Sequence, residues 1–302
     1  MLDTIIIGAG IAGLTASIYA SRKKMDFLLI SEQFGGQFLE SGEILNYPGI
    51  TQISGAEFSL KMQKQIAYNN VTPALGEKVI EIKKAENSFF VLTDKNRYES
   101  KTVIIATGSK PKKLNISGEK EFKNKGVAYC SVCDGPLFNG KDIAIVGGGN
   151  SALEGVDFTW KIAKKIYLIN ISDEFNAHEY LIDRIKSYKN VEIITGAVTK
   201  EISGDKFVTG LKYEKDGAMH GIKVQGIIVE IGRMPNTSFV KNTLELDEHG
   251  HIKIDCQSRT SVEGIFAAGD CASGHEYQYT IAAGQGCIAL LKCARYLAGK
   301  NQ

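Results

Sequence analysis

The sequence predicts an α/β protein made of two Rossmann-like, three-layer units. Three observations predict it. A strand, a glycine-rich turn, a helix and a second strand follow one another twice, at residues 4–30 and again at 143–169. The 302 residues suffice for two domains, each with its own core. Thirty-two glycines stand against five prolines, a balance that favours tight turns over disordered linkers.

The first unit opens with the apolar strand Ile5-Ile6-Ile7. It runs into Gly8-Ala9-Gly10-Ile11-Ala12-Gly13, a helical stretch from Leu14 to Arg22 and the strand Phe27-Leu28-Leu29-Ile30. This is a dinucleotide fingerprint in its required setting. Gly8 allows the turn, Gly10 lets the backbone approach a pyrophosphate, and Gly13 lets helix and strand pack closely. The helix N-terminus offers amides to the phosphate charge. Ser31 and Glu32 end the second strand, where Glu32 is placed to accept a bond from an adenosine ribose hydroxyl.

Gly35-Gly36-Gln37 and Asn46-Tyr47-Pro48-Gly49 fall in loops. Their glycines permit close approach to a flat ligand, and Gln37 and Asn46 can bond its edge. Residues 60–67 read as a helix, and 79–82, 89–92 and 103–106 as strands. The last strand leaves sharply through Thr107-Gly108.

Between the two glycine-rich units lies Cys130-Ser131-Val132-Cys133-Asp134-Gly135-Pro136. Two cysteines so spaced close and reopen a small disulfide ring, one thiol attacking a partner disulfide and the other resolving it. Asp134 stands where a proton donor or acceptor is useful. Half of a zinc site has the same spacing. Cys256, Cys271, Cys287 and Cys293 make no second such pair, and the five histidines show no ligand spacing, so the redox reading is preferred and no metal is expected. The other four cysteines are expected to be packed small residues.

The second unit is Ile143-Ala144-Ile145-Val146, then Gly147-Gly148-Gly149-Asn150-Ser151-Ala152, a helix from Leu153 to about Ile162, and the strand at 166–169. Ala152 takes the third small-residue position. Two complete units imply two dinucleotide sites. A strand at 191–194, a meander at 208–224 and a strand at 227–231 follow. A strand at 264–268 leads to Gly269-Asp270, with Asp270 placed to accept from a ribityl or ribose hydroxyl, and a helix over 282–297 closes the chain.

Composition excludes several classes. Thirty-six basic and 34 acidic residues leave a net charge of +2, which gives no electrostatic case for nucleic acid or an anionic membrane. The longest apolar runs, such as 4–7 and 103–106, are too short to span a bilayer. The sequence opens directly on a strand, so no signal peptide is expected. One redox pair among six cysteines fits a cytoplasmic protein better than a secreted disulfide framework.

Together, Gly8 to Gly13, Gly35-Gly36-Gln37, Asn46 to Gly49, Ala106-Thr107-Gly108, Cys130 to Pro136, Gly147 to Ala152 and Gly264 to Asp270 resemble the low-molecular-weight thioredoxin reductase family across the whole chain. The resemblance implies that the second Rossmann-like domain is inserted into the first. It implies an FAD domain in two pieces, 1–112 and 245–302, and a pyridine-nucleotide domain at 113–244 that carries the cysteines. It further implies a homodimer, a swivel between domains, FAD as cofactor and thioredoxin as partner. Cys133 is then the sulfur facing flavin, Cys130 the one attacking the carrier disulfide, and Asp134 the acid protonating the departing thiolate. Val79, Gln278, Tyr279 and Thr280 join the expected flavin site, and Gly147, Gly149, Asn150, Ser151, Ala152 and Asn170 the nucleotide site.

Two departures concern the electron donor. Family members that use NADPH carry an arginine cluster after the second strand of the inserted domain. Here that stretch is Asn170-Ile171-Ser172-Asp173-Glu174-Phe175-Asn176, with two acids and no arginine. A phosphate dianion beside them, without a cation, is unfavourable, so NADH is easier to accommodate, with Asn170 on its ribose. The second departure is Tyr277-Gln278-Tyr279, where the family often has Arg-Gln-Ala. These tyrosines either stack on the isoalloxazine and hinder nicotinamide or merely fill an interface. Both departures suit a relative reduced by ferredoxin. Residues 220–224, 231–237 and 266–271 are also similar to the NADH-using flavoprotein reductase of the alkyl hydroperoxide system. That protein has an extra amino-terminal thioredoxin-like region, so the carrier here is expected to be a separate protein. Three readings follow: a thioredoxin reductase, a reductase serving a peroxiredoxin system, and a flavin-binding redox sensor. The intact pair with its matched acid argues against the sensor.

Overall fold

The computed structural model describes residues 1–41, 43–274 and 276–300; Gly42, His275, Asn301 and Gln302 lie outside the described residues. The chain forms two compact units, Met1–Lys110 with Met234–Gln302, and Pro111–Arg233.

The first unit is built on a seven-stranded sheet. Ala74–Leu75, Phe27–Phe34, Leu2–Ala9 and Arg97–Ile105 lie side by side in parallel. Ile265–Ala267 pairs in parallel with Arg97–Ile105, and Phe89–Thr93 and Val79–Lys84 add an antiparallel wing. Period-two alternation sorts the side chains of the central strands onto two faces. Ile6, Leu29, Ile104 and Phe266 sit on one face, packed with Leu14, Met62 and Leu290. Those three come from the helices Ile11–Arg22, Gly55–Tyr68 and Tyr279–Lys300. Ile5, Ile7, Ile30, Val103, Ile105 and Ile265 fill the opposite face with Val91 and Ile252. The helix Gly55–Tyr68 starts where Ser54 and Glu57 cap each other reciprocally.

The second unit has five parallel strands in the order Val127–Ala128, Gly226–Val229, Asp142–Val146, Lys165–Ile169, Val191–Ile194. One face carries Ile143, Ile145 and Leu168, packed with Leu153 and Val156 of the helix Asn150–Thr159 and Leu181 and Ile185 of Glu179–Lys186. The other face carries Ala144, Val146 and Ile169, packed with Ile202 and Leu211 of an antiparallel three-stranded sheet, Val198–Gly204, Val208–Lys215 and Ala218–Lys223. Each unit therefore has three layers, as the sequence implies.

Three differences from the expectation bear most on the layout. Residues 234–244 pack in the first unit rather than with the inserted segment, because Val240 and Leu244 bury themselves among Ile82, Val91 and Ile252. The helix Glu179–Lys186 has no counterpart in the reading above; it buries only a short stripe, Leu181 and Ile185, one turn apart. The second glycine-turn helix begins at Asn150 rather than Leu153. Among the described residues, no helix is long and apolar enough to cross a membrane.

Candidate active site

Cys130 and Cys133 are joined as a disulfide, with their Cα atoms 5.3 Å apart. Cys130 ends an extended segment and caps the one-turn helix Ser131–Asp134, its Sγ accepting a 3.1 Å bond from the Cys133 N–H. The ring thus lies at the end of the edge strand Val127–Ala128. It is followed by the 3₁₀ turn Gly135–Phe138, with Pro136 at its start, where a missing N–H costs nothing. Two glycines let this turn press on the helix Asn150–Thr159. A Cβ on Gly155 would stand 2.3 Å from the Ser131 Oγ, and one on Gly135 would stand 2.9 Å from Thr159.

The turn is gripped from the sheet. Glu230, directly after the strand Gly226–Val229, accepts bonds from the Ser131 N–H at 2.9 Å and the Ser131 hydroxyl at 2.8 Å. Asp134 sits on the same turn, half-buried. Burial, and then the neighbouring Glu230 charge, push its pKa up to about 6. Glu230 is itself pushed up by burial, opposed by its bonds from Ser131 and by Arg233, and reinforced by Glu154. A carboxyl held near 6 carries a proton often enough to give it to a leaving thiolate near neutral pH.

In the first unit, the expected cofactor residues gather where Leu2–Ala9 ends. The Gly35 N–H donates to the Ala9 carbonyl, which lays Gly35-Gly36 against the first glycine turn; a Cβ on Gly36 would stand 3.2 Å from the Gly10 Cα. Gly13 must stay bare, since its Cβ would meet the Gly8 carbonyl at 1.8 Å. Ala12 is buried against the closing helix, beneath Gly286. The Gln37 amide donates to the Ser109 carbonyl, and the Ser109 hydroxyl donates to Asp270. Asn46 donates to Gln278. Thr107 and Gly108 are tied to Asn236 by three bonds of 2.8–2.9 Å. The Gly269 N–H donates to Gln285. Ser31 donates to the Gln33 carbonyl, and Glu32 and Thr280 are exposed.

Other expected residues have their side chains engaged within the first unit. Val79 is a core residue of the antiparallel wing, with its side chain among Ile82 and Val91. Tyr277 and Tyr279 spend their hydroxyls inside the first unit, on the ring of buried His251 at 2.8 Å and on Ser41 at 2.6 Å. Cys271 and Cys293 are buried as expected, whereas Cys256 is exposed.

In the second unit, Gly147, Gly149, Asn150, Ser151 and Ala152 form the turn after Asp142–Val146. Ala152 is buried, and Gly147 has φ +150°. Asn150 accepts from the His178 N–H. Asn170, expected on a ribose, is turned into its own loop. It is buried, its amide donates to the Glu174 carbonyl at 2.8 Å, and its oxygen accepts from the Ser172 N–H. The loop it shapes presents Asp173 and Glu174, both exposed.

Sequence reasoning missed Glu230, Asn236 and Gln285. Glu230 had a legible signal: it is an acid at the end of the otherwise apolar run 227–231. Asn236 and Gln285 act on main-chain atoms that are remote in sequence, which no local pattern announces.

The fit to FAD rests on bare backbone. The helix Ile11–Arg22 has Gly10 at its N-cap, carries no side-chain cap there, and has open space where a Cβ on Gly10 would point. Gly49 and Gly108, both at positive φ, face open space in the same way. Backbone amides without a capping side chain, beside room for a ligand, suit a pyrophosphate. In the second unit Gly149 is likewise an N-cap with no side-chain cap, and only the Asn176 carbonyl stands within 4 Å of its Cβ direction.

A family model described as pyridine nucleotide-disulphide oxidoreductase matches residues 2–286. The chain is 40% identical over 298 residues to a Staphylococcus aureus alkyl hydroperoxide reductase subunit, covering 98% of this chain but 59% of that protein's length. Among solved structures it is similar to thioredoxin reductase from Streptococcus pyogenes, with 37% identity, a TM-score of 0.92 and 99% of each chain covered. It is also similar to thioredoxin reductase from Giardia duodenalis, with 34% identity, a TM-score of 0.91, and 98% and 99% covered.

Proposed function

The chain belongs to the pyridine nucleotide-disulphide oxidoreductase family, and we propose that it reduces the disulfide of a thioredoxin-like protein through FAD and the Cys130–Cys133 pair. The observation that carries this reading is the closed disulfide with a proton-carrying acid in the next position. Gly8, Gly10, Gly13, Gly36 and Gly108 would hold FAD by their backbone, with Gln37, Asn46, Asp270 and Gln278 around it. Bound there, FAD supplies the electron pair that, with two protons, opens the disulfide to a dithiol.

The chain's own residues do the rest. The Cys130 thiolate attacks one sulfur of the carrier disulfide, that bond breaks, and the departing thiolate takes a proton from Asp134. The Cys133 thiolate then attacks the Cys130 sulfur and releases the second carrier sulfur. Two electrons have moved to the carrier, and the 130–133 disulfide is closed again. The Cys133 N–H is placed to stabilise the Cys130 thiolate, since it already donates to that sulfur at 3.1 Å.

The family supplies NAD(P)H as the donor class, and the finer proposal is NADH. Residues 170–176 carry Asp173 and Glu174 and no cation, so a 2′-phosphate would meet like charge while a 2′-hydroxyl would not. A carrier of the peroxiredoxin system is a second reading, favoured by the 40% identity to the staphylococcal alkyl hydroperoxide reductase protein. The proposal extends to a homodimer acting in the cytoplasm, where thiols are kept reduced.

The test is anaerobic. Oxidised protein is mixed in turn with NADH, NADPH and reduced ferredoxin, and flavin absorbance is followed; turnover is then assayed on thioredoxin and on peroxiredoxin-system carriers. NADH is expected to bleach the flavin at least as well as NADPH. Rapid bleaching by micromolar NADPH alone overturns the donor assignment, bleaching only by ferredoxin replaces it, and no turnover on any carrier overturns the function.

A further inference from the structure

Residues 276–278 belong to no helix or strand, yet they lead straight into the closing helix Tyr279–Lys300 and carry Gln278, one of the residues expected around FAD. A row of side-chain bonds ties this segment to distant parts of the first unit. Tyr277 reaches His251 at 2.8 Å, Gln278 accepts from Asn46 at 3.2 Å, and Tyr279 meets Ser41 at 2.6 Å. The first bond ends on a support that is itself well held. His251 is buried in a tight turn, where the Gly250 N–H donates to the Asp247 carbonyl and the Asp247 N–H to the His251 carbonyl. One Asp247 carboxylate oxygen accepts the N–H groups of both His249 and His251 at 2.9 Å. The next residue, Ile252, bonds the main chain of Cys271 and Ser273, just beyond Asp270. The same acid orients the His251 ring, whose Nδ1 stands 3.3 Å from the Asp247 carboxylate. An ionised carboxylate only accepts, so Nδ1 carries the hydrogen and Nε2 is left as the acceptor for the Tyr277 hydroxyl.

We propose that His251 is a positioning residue of the flavin site: by holding the Tyr277 hydroxyl it fixes the cavity wall beside Asp270 and the aim of Gln278. The inference rests on the FAD reading given above. Tyr277 lines one cavity together with Gly269, Asp270 and Gln285. Its phenol is thus both part of that wall and the handle by which the wall is held. Asp247 acts one step further out, since it sets the angle of the imidazole and so the direction of the acceptor. Without the Tyr277–His251 bond, a segment that no helix or strand holds would lose one of its three side-chain ties. FAD would then have to order that segment on binding, which weakens the complex and speeds its release.

The test reads FAD release rather than turnover. Holoprotein is diluted into buffer without FAD, and the rise in flavin fluorescence is followed as FAD leaves. Visible circular dichroism of the bound flavin reports its surroundings. Tyr277→Phe removes the hydroxyl, His251→Leu removes the acceptor, and His251→Gln returns an amide oxygen near the Nε2 position. Tyr277→Phe and His251→Leu are each expected to release FAD about five- to tenfold faster, with an altered dichroism spectrum. His251→Gln should stay within about twofold of the parent, and Tyr277→Phe/His251→Leu should be no faster than the faster single variant. A role confined to stability would lower the melting temperature and leave both release and spectrum unmoved. Release at the parental rate by Tyr277→Phe and His251→Leu overturns the proposal, as does a double variant whose effect is the product of the two singles. Should His251→Leu not fold, Tyr277→Phe decides: fast release upholds the proposal and parental release overturns it. A parent protein that takes up no FAD overturns the flavin reading and this inference with it, whereas a parent that binds FAD with unmoved variants overturns this inference alone.

Discussion

Replacing Asp134 by Asn should make the inserted unit more stable and the enzyme slower, with the stability gain written into the pH dependence. In the folded chain, burial and Glu230 raise the Asp134 pKa from 3.8 to about 6. The folded state therefore holds a proton that the unfolded chain releases between about pH 4 and pH 6. Over that window the native state binds more protons, so stability falls as pH rises, and above 6 the loss is complete. A shift of about two units corresponds to at most about 3 kcal/mol, and half-burial with solvent screening brings this to about 1–2 kcal/mol. Asn carries no charge to desolvate, so Asp134→Asn escapes the loss. The assay is urea unfolding of both proteins at several values between pH 4.5 and 7.5. The reporter is the fluorescence of Trp160, the chain's one tryptophan, which stacks on Tyr188 beside the helix that packs on the redox turn. The two proteins should be nearly equal at the acid end and diverge in favour of Asn up to pH 6–7. A gap that does not change with pH, or a parent protein that gains on the variant as pH rises, refutes the reasoning.

The other predictions concern the same turn. Cys130→Ser and Cys133→Ser should each abolish carrier reduction while flavin absorbance of the purified protein is retained; a double serine variant with undiminished turnover on thioredoxin would rule the dithiol route out. Gly155→Ala should destabilise by about 1–3 kcal/mol, although alanine is ordinarily the better helix residue by about 1 kcal/mol. The reason is that its Cβ would stand 2.3 Å from the Ser131 hydroxyl. Thermal unfolding of Gly155→Ala against Gly155→Ala/Ser131→Gly separates the causes, since removing the serine side chain should recover part of the loss.

The parts of this protein that a sequence announces are those made by near neighbours. Gly8, Gly10 and Gly13 lie within six residues of one another, and the strand before them and helix after them are equally local, so the dinucleotide fold could be read at both 4–30 and 143–169. The same is true of Cys130, Cys133 and Asp134, which lie within five residues of one another, so the redox pair proposed here was legible as a local motif. Even the absence of a cation at 170–176 is a local fact.

What the order of residues left open was decided by contacts between distant segments. Residues 234–244 join the first unit because Val240 and Leu244 find their apolar partners there, about 150 residues away from Val91. Asn170 was legible as a polar residue ending a strand, but its loop closes over it and uses both ends of its amide. Glu230 is 99 residues from Ser131, and only parallel pairing of the strands at 127–128, 142–146 and 226–229 brings the acid to the turn. The sequence by itself picked out the groups proposed to carry electrons and protons. The tertiary structure determined how readily Asp134 keeps its proton, because the desolvation and like charge that raise its pKa come from packing.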